Sequence, residues 1–218
     1  MSDTSILCVA TTNTSPAALT LIDVSTGTCT VVKRSSEVDE KVVPKGMFSS
    51  AEGLEFDVPL AGAEGGKMVN LNVLFYKPAN ANYEGGVEGE LPPAIIRCHG
   101  GPVRSAFLRL APLSPLSLIR HVVILGQTSR SAPGHSWITS YWTSRGFAVL
   151  DVNYGGSSGF GKEYRERLKG NWGVVDVQDS IETVKYCVRN GLIDGERVAI
   201  SGGSAGELKL EANVERRI

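Results

Sequence analysis

The amino-acid sequence predicts an α/β fold built on a mostly parallel, doubly wound sheet, preceded by a short β-rich segment. From about residue 46 onward, β-type runs alternate with helix-type segments, which is typical of parallel strands joined by crossover helices. Residues 1–45 instead carry three short β-type runs with turn residues between them. A hydrophobic content of 42% and a charged content of 21% over 218 residues are those of a soluble globular protein with a core.

The β-rich opening consists of the runs 5–9, 18–24 and 28–33. Because three strands are too few to bury one another's faces, this segment is interpreted as part of a larger β domain. A polar connector, residues 35–45, follows it. We therefore expect two units, 1–45 and 46–218.

The second unit is predicted to contain five strands, at 54–58, 69–76, 93–98, 147–152 and 197–201. A helix is expected around 141–145, where Gly146 stops it. A second helix is expected over 174–190 because apolar residues recur there at helical spacing. On that helix Asp176 and Asp179 are interpreted as polar positions, and Trp172 before it as a packing anchor.

The strongest chemical signal is Gly202-Gly203-Ser204-Ala205-Gly206, directly after the predicted strand 197–201. A strand that runs into Gly-x-Ser-x-Gly and then a helix is the nucleophile elbow of an α/β-hydrolase. The flanking glycines allow a strained turn, so that the serine oxygen stands above the sheet. Ser204 is therefore the predicted catalytic nucleophile.

A second glycine turn, His99-Gly100-Gly101-Pro102, follows the predicted strand 93–98. In α/β-hydrolases a turn at this place points a backbone N–H at the developing oxyanion, and the residue after the nucleophile supplies another. Gly101 and Ala205 are the predicted donors. His99 is interpreted as a structural or substrate-side histidine rather than the general base, because it belongs to this turn and precedes the serine.

The partners that activate such a serine are missing from the 218 residues. An α/β-hydrolase takes its acid and its histidine from sequence after the nucleophile. Here the last Asp is Asp194 and the last His is His135. The acids after the serine are Glu207, Glu211 and Glu215. We therefore expect an incomplete hydrolase domain that lacks activity.

Residues 103–140 differ in composition from the rest of the chain, because they contain no Asp or Glu although the whole chain has 23. Two interpretations are open. The segment is either an inserted lid or partner-binding loop, or sequence that was never selected to fold here.

A nucleotide-binding alternative comes from Gly156 to Lys162, which matches G-x-x-x-x-G-K. A P-loop needs Ser or Thr next to hold Mg²⁺, and this chain has Glu163 there. Nucleotide binding is therefore disfavoured.

Charge and composition exclude several other classes. A net charge of −1 gives no reason to expect nucleic acid or a membrane surface as partner. The four cysteines form no C-x-x-C pair, and no metal or cofactor is expected. No signal peptide or membrane span is recognised, which favours the cytoplasm or another intracellular compartment. The oligomeric state stays open.

Taken in order, these motifs make residues 93–206 resemble the catalytic domain of the prolyl oligopeptidase family, in its dipeptidyl-peptidase and acylaminoacyl-peptidase-like branch. The resemblance rests on 98–102, on the Tyr-Trp and Gly-rich run 141–161, on Trp172-Gly173 with Asp176, and on 203–206. It implies a serine peptidase that hydrolyses peptide bonds through an acyl-enzyme, with peptides as substrate.

The resemblance also implies a β-propeller before the peptidase domain, of which residues 1–45 would be a remnant of the last blade. The likeness ends near Glu207, where the family usually has a further glycine, so we expect a chain truncated after the elbow. The alternative function is a non-catalytic fragment or binding module.

Overall fold

Two separate sheets make up the computed structural model, which describes residues 4–12, 14–37, 41, 43–61, 66–84, 86–100, 131 and 133–202. The first sheet contains β1 (Ser5–Ala10), β2 (Ala18–Asp23) and β3 (Cys29–Arg34). Its strands are antiparallel and lie in the order β1-β2-β3. The three predicted β-type runs are confirmed. All six residues of β3 are exposed, so this sheet leaves apolar side chains uncovered within the described part of the chain.

The second sheet contains β4 (Ala51–Pro59), β5 (Met68–Tyr76), β6 (Ala94–Cys98), β7 (Ala148–Asn153) and β8 (Val198–Gly202). Its order is β4-β5-β7-β6-β8. The pairs β6–β7 and β6–β8 are parallel, whereas β4–β5 and β5–β7 are antiparallel. The sheet is thus mixed, with β5 running against the other four strands. The short 60–67 connection explains this reversal, because a parallel pair needs a much longer crossover.

Three helices accompany this sheet in the described residues: α1 (Trp137–Thr143), α2 (Lys162–Glu166) and α3 (Val175–Arg189). A 3-10 turn, Lys45–Met47, precedes β4. Helix α1 starts at Trp137 because the Ser136 side chain accepts a hydrogen bond from Thr139 N, which caps its first turn. It therefore begins inside the range 103–140. Helix α2 was not predicted from the sequence, and α3 was.

The core lies between the sheet and α3. All six residues of β7 are buried, as are four of the five in β6, since these central strands are covered on both faces. Phe56 of β4 stacks on Tyr186 of α3 with ring centroids 3.9 Å apart, which fastens the outer strand to the helix.

Asp176 and Asp179 lie on α3, as their interpretation as polar positions of a helix expects, but they occupy its buried face. Asp176 is 2% exposed and Asp179 is not exposed at all. Asp179 is buried because its carboxylate pairs with Arg167 and accepts a hydrogen bond from the backbone of Gly155.

The interpretation of Trp172 as a packing anchor is wrong, since 46% of its surface is exposed. It lies in a surface turn before α3, where Gly173 has φ of +72°. Among the described residues, the structure contains no helix that is long and apolar enough to cross a bilayer.

Candidate active site

The carboxyl ends of β6, β7 and β8 meet at one edge of the second sheet. Cys98, the last residue of β6, is in register with Val152 of β7 and with Gly202 of β8. Strands β6 and β8 therefore end side by side at this edge. Open α/β sheets place their sites at this edge.

The predicted catalytic residues themselves, Ser204, Gly101 and Ala205, lie outside the described residues. The structure describes the chain as far as Gly100 on one side of the edge and Gly202 on the other. It thus shows that β6 and β8, the strands that precede these three positions in the sequence, are neighbours in the sheet.

His99 is fixed in place by the segment that follows β7. Its ring stacks on Tyr154 with centroids 4.5 Å apart and an interplanar angle of 21°. Nε2 lies 2.9 Å from Ser157 Oγ, and Nδ1 lies 3.3 Å from the Tyr154 hydroxyl and 3.4 Å from Gly100 O. The Tyr154 hydroxyl donates to the carbonyl oxygen of His99 at 2.9 Å. These contacts support a structural role for His99.

The turn after β7 contains the G-x-x-x-x-G-K match and uses its backbone N–H groups inside the protein. Gly155 N donates to Asp179 Oδ2 at 2.7 Å, Gly156 N to Tyr164 O at 2.9 Å, and Ser157 N to Tyr154 O at 2.9 Å. The Lys162 side chain is 76% exposed and lies 3.8 Å from Glu166. The N–H groups of Gly156 and Ser157, the first positions of the match, are therefore not available to a phosphate.

A buried ion pair between Arg167 and Asp179 contacts this turn through the backbone of Gly155. Arg167 Nη2 lies 3.0 Å from both carboxylate oxygens of Asp179, and the two side chains are 6% and 0% exposed. Arg167 Nη1 also donates to Asn70 O at 3.1 Å. Burial raises the pKa of the Asp179 carboxyl, and the Arg167 guanidinium opposes that rise.

Sequence reasoning missed this pair, although a signal was present. Asp179 and Thr183 are four residues apart and therefore share one stripe of α3, and Asp176 shares a stripe with the buried Cys187 through Ser180. An acid on the stripe that carries a buried cysteine indicates a paired core carboxylate more than a solvated one.

Tyr164 of α2 ties the helix to the carboxyl end of β7. Its hydroxyl donates to Asn153 O and accepts from Asn72 N at 3.3 Å. Burial raises the pKa of Tyr164 to about 12, so the hydroxyl remains protonated and able to donate.

His135, the other histidine that the structure describes, contacts aromatic rings and not the residues named above at this edge. Its ring packs edge-on against Trp137 with centroids 4.6 Å apart and tilted against Phe48 at 5.0 Å, and burial lowers the pKa of His135. His121 lies outside the described residues. No cluster of three or more His, Cys, Asp or Glu side chains suited to a metal occurs in the part that the structure describes.

The strand order β4-β5-β7-β6-β8 and the shared carboxyl edge of β6, β7 and β8 define a mixed α/β domain of the hydrolase type. The comparisons agree with this class: residues 133–216 match the model of the prolyl oligopeptidase family. Over 130 residues the chain is 29% identical to dipeptidyl aminopeptidase BIII of Pseudoxanthomonas mexicana. This match covers 60% of this chain and 15% of that protein. Over 114 residues it is 34% identical to acylamino-acid-releasing enzyme 1 of Oryza sativa subsp. japonica, covering 52% and 12% respectively.

A solved structure of a puromycin-hydrolyzing peptidase of Mycobacterium tuberculosis superposes with a TM-score of 0.74 and 30% identity. The match covers 96% of this chain and 27% of that one. The resemblance stated from the motifs is thus confirmed: residues 133–216 match the prolyl oligopeptidase family model, and the similar proteins are peptidases by name. The matches span about a quarter or less of the length of these relatives.

Proposed function

We propose that this chain carries the nucleophile and the oxyanion donors of a serine peptidase site of the prolyl oligopeptidase type. Ser204 Oγ would bond to the carbonyl carbon of a peptide, and the N–H groups of Gly101 and Ala205 would hold the oxyanion that forms. The observation that carries this proposal is the parallel pairing of β6 with β8, in which Cys98 and Gly202 are in register. The glycine turn and the elbow strand are therefore neighbours at one edge of the sheet.

The substrate class follows from the relatives. They are named as a dipeptidyl aminopeptidase, an acylamino-acid-releasing enzyme and a puromycin-hydrolyzing peptidase. We therefore propose peptides as the substrate class of the site to which this chain contributes.

The 218-residue polypeptide by itself is proposed not to turn over substrate. Acyl transfer requires a base that takes the Ser204 proton and returns it to the leaving amine. His99 is occupied by Ser157 and Tyr154, and no Asp or His follows Ser204 in the sequence. Loss of triad members costs on the order of 10⁴ to 10⁶ in rate.

Several organisational predictions accompany this proposal. They are the division into 1–45 and 46–218, the origin of 1–45 in a propeller blade, the atypical segment 103–140 and an intracellular location. The antiparallel β1-β2-β3 sheet supports the second of these, since propeller blades are small antiparallel sheets.

Labelling with a fluorophosphonate tests the proposal, because this reagent bonds to activated serines. The 218-residue chain is incubated with the reagent, and modification of the Ser204 peptide is followed by mass spectrometry. We expect a small fraction of modified Ser204 and none in Ser204→Ala. Rapid stoichiometric labelling that Ser204→Ala abolishes would support the nucleophile and contradict the predicted inactivity. Equal labelling of both proteins at other serines would overturn the assignment of Ser204.

A further inference from the structure

Two turns lie against each other at the carboxyl edge of the second sheet. One is His99-Gly100 after β6, and the other is Tyr154 to Ser157 after β7. The second turn contacts the first at two points: Tyr154 reaches the His99 carbonyl oxygen, and Ser157 reaches the His99 ring. Both the backbone and the side chain of His99 are therefore held.

The hydrogen bonds assign the proton on the His99 ring. The Tyr154 hydroxyl donates its one proton to His99 O, so its 3.3 Å contact with Nδ1 favours a proton on that nitrogen. The carbonyl oxygen of Gly100, also near Nδ1, can only accept. Nε2 is then the acceptor, and the hydroxyl of Ser157 donates to it across 2.9 Å.

Burial makes these contacts strong and geometrically specific. Ser157 is 0% exposed and Tyr154 is 1% exposed, so water cannot replace either hydroxyl. The second turn is itself anchored, because Gly155 N donates to Asp179 and the carboxylate pairs with Arg167. The anchor extends from α3 through the second turn to His99.

We propose that Ser157 and Tyr154 are positioning residues that fix the glycine turn after β6, and that they hold His99 as its Nδ1–H tautomer. The effect of this positioning on catalysis rests on the proposed function, because Gly101, the proposed oxyanion donor, is two residues beyond His99. A donor displaced by about 1 Å can cost on the order of 10²-fold in rate. Ser157 and Tyr154 would act without touching substrate.

Nuclear magnetic resonance of the full 218-residue chain, labelled with ¹⁵N in its histidine rings, tests this inference. The chain has three histidines, and His99→Gln identifies the His99 signals by their loss. At about pH 8, where an ordinary histidine is neutral, we expect a protonated Nδ1 and an unprotonated Nε2. If the sample associates, the same spectra are recorded by magic-angle spinning.

Two variants then remove the contacts one at a time. Ser157→Ala is expected to change the His99 ring to a mixture of tautomers, and Tyr154→Phe to shift the Nδ1 signal. In both, amide hydrogen exchange at Gly100 and Gly101 is expected to rise about tenfold, the effect of losing one buried hydrogen bond. Ser158→Ala is the matched control, because the adjacent Ser158 Oγ has no hydrogen-bond partner in the described residues.

The result that overturns the inference is an Nε2–H tautomer in the unmodified chain, or ring signals and glycine exchange that neither variant changes beyond the Ser158→Ala control. Neither measurement needs a reactive serine. Fluorophosphonate labelling that Ser204→Ala leaves unchanged would therefore refute the proposed nucleophile and leave this inference standing. An Nε2–H tautomer would refute this inference and leave the proposed nucleophile standing.

Discussion

Replacing Arg167 by Met removes the cation of the ion pair under the turn after β7. The guanidinium and the carboxylate of Asp179 are 3.0 Å apart, and 6% and 0% of the two side chains are exposed. At an effective dielectric constant of about 20, this separation corresponds to an attraction of about 5 kcal/mol. Removal of one partner from a buried pair leaves a charge without compensation, so we expect the free energy of unfolding to fall by about 3–5 kcal/mol.

The stability lost in Arg167→Met should be smaller at low pH than at high pH. Burial raises the pKa of Asp179, and Arg167 is the main opposing influence. In Arg167→Met the folded-state pKa of this carboxyl therefore rises further above its unfolded value. Between those two values the folded protein binds more protons than the unfolded one, so stability falls as pH rises through the folded-state pKa. The variant should lose less stability at about pH 5 than at about pH 8.

Urea unfolding, followed by tryptophan fluorescence at one fixed protein concentration, measures both effects. Lys77→Met is the control, because Lys77 and Glu52 also form a close pair, at 2.9 Å, but are 58% and 50% exposed. An exposed pair of this kind contributes about 0–1 kcal/mol. An Arg167→Met loss no larger than that of the control, or a loss that grows toward low pH, would refute the reasoning.

Three further predictions concern the core and the glycines. Gly156→Ala should destabilise the protein by more than about 1 kcal/mol in urea unfolding, because φ is +110° and a Cβ would lie 2.6 Å from a buried leucine side chain. Leu150→Ala should cost about 2–5 kcal/mol by the same measurement, since Leu150 is fully buried in β7. Cys187 should resist a thiol reagent until the protein unfolds, because burial raises its pKa to about 12 and leaves about a thousandfold less thiolate than an ordinary thiol.

Matched substitutions make these outcomes specific. Gly27→Ala shares a positive φ, +70°, but its Cβ would meet nothing within 4 Å, so the difference from Gly156→Ala isolates the steric contact. Val32→Ala tests an exposed valine of β3 and should change the free energy of unfolding by less than about 0.5 kcal/mol. Cys29 is exposed and should react in the folded chain. Equal behaviour within any of these pairs would contradict the corresponding prediction.

The strands were predictable because each is an apolar run bounded by turn residues, a signal that lies within a few residues. The sheet order was not, because the reversal of β5 and the insertion of β7 between β5 and β6 depend on pairing between distant segments. Helix α2 was missed because five residues are too few for a helical period to show.

The site was predictable to the extent that its chemistry is carried by local motifs. Ser204 and the glycine turn at His99 could be proposed from the sequence because glycines at fixed spacing indicate a backbone requirement. The polar cluster under the turn was not found, since Arg167, Asp179 and Gly155 are brought together only by the folded α3 and β7. The stripe of α3 indicates that Asp179 is buried, but no spacing rule in the sequence identifies Arg167 as its partner.

The pairing of β6 has a consequence for how the polypeptide acquires its structure during synthesis. β4 and β5 form a hairpin whose halves emerge from the ribosome together. Ala94 of β6, by contrast, pairs with Ala148 and Val198, which are synthesised much later. The central strands therefore cannot pair until distant segments have been made, and their pairing has a larger loop-closure entropy cost. Until those segments arrive, an apolar strand stays uncovered in the nascent protein, and chaperone capture should concentrate on that interval.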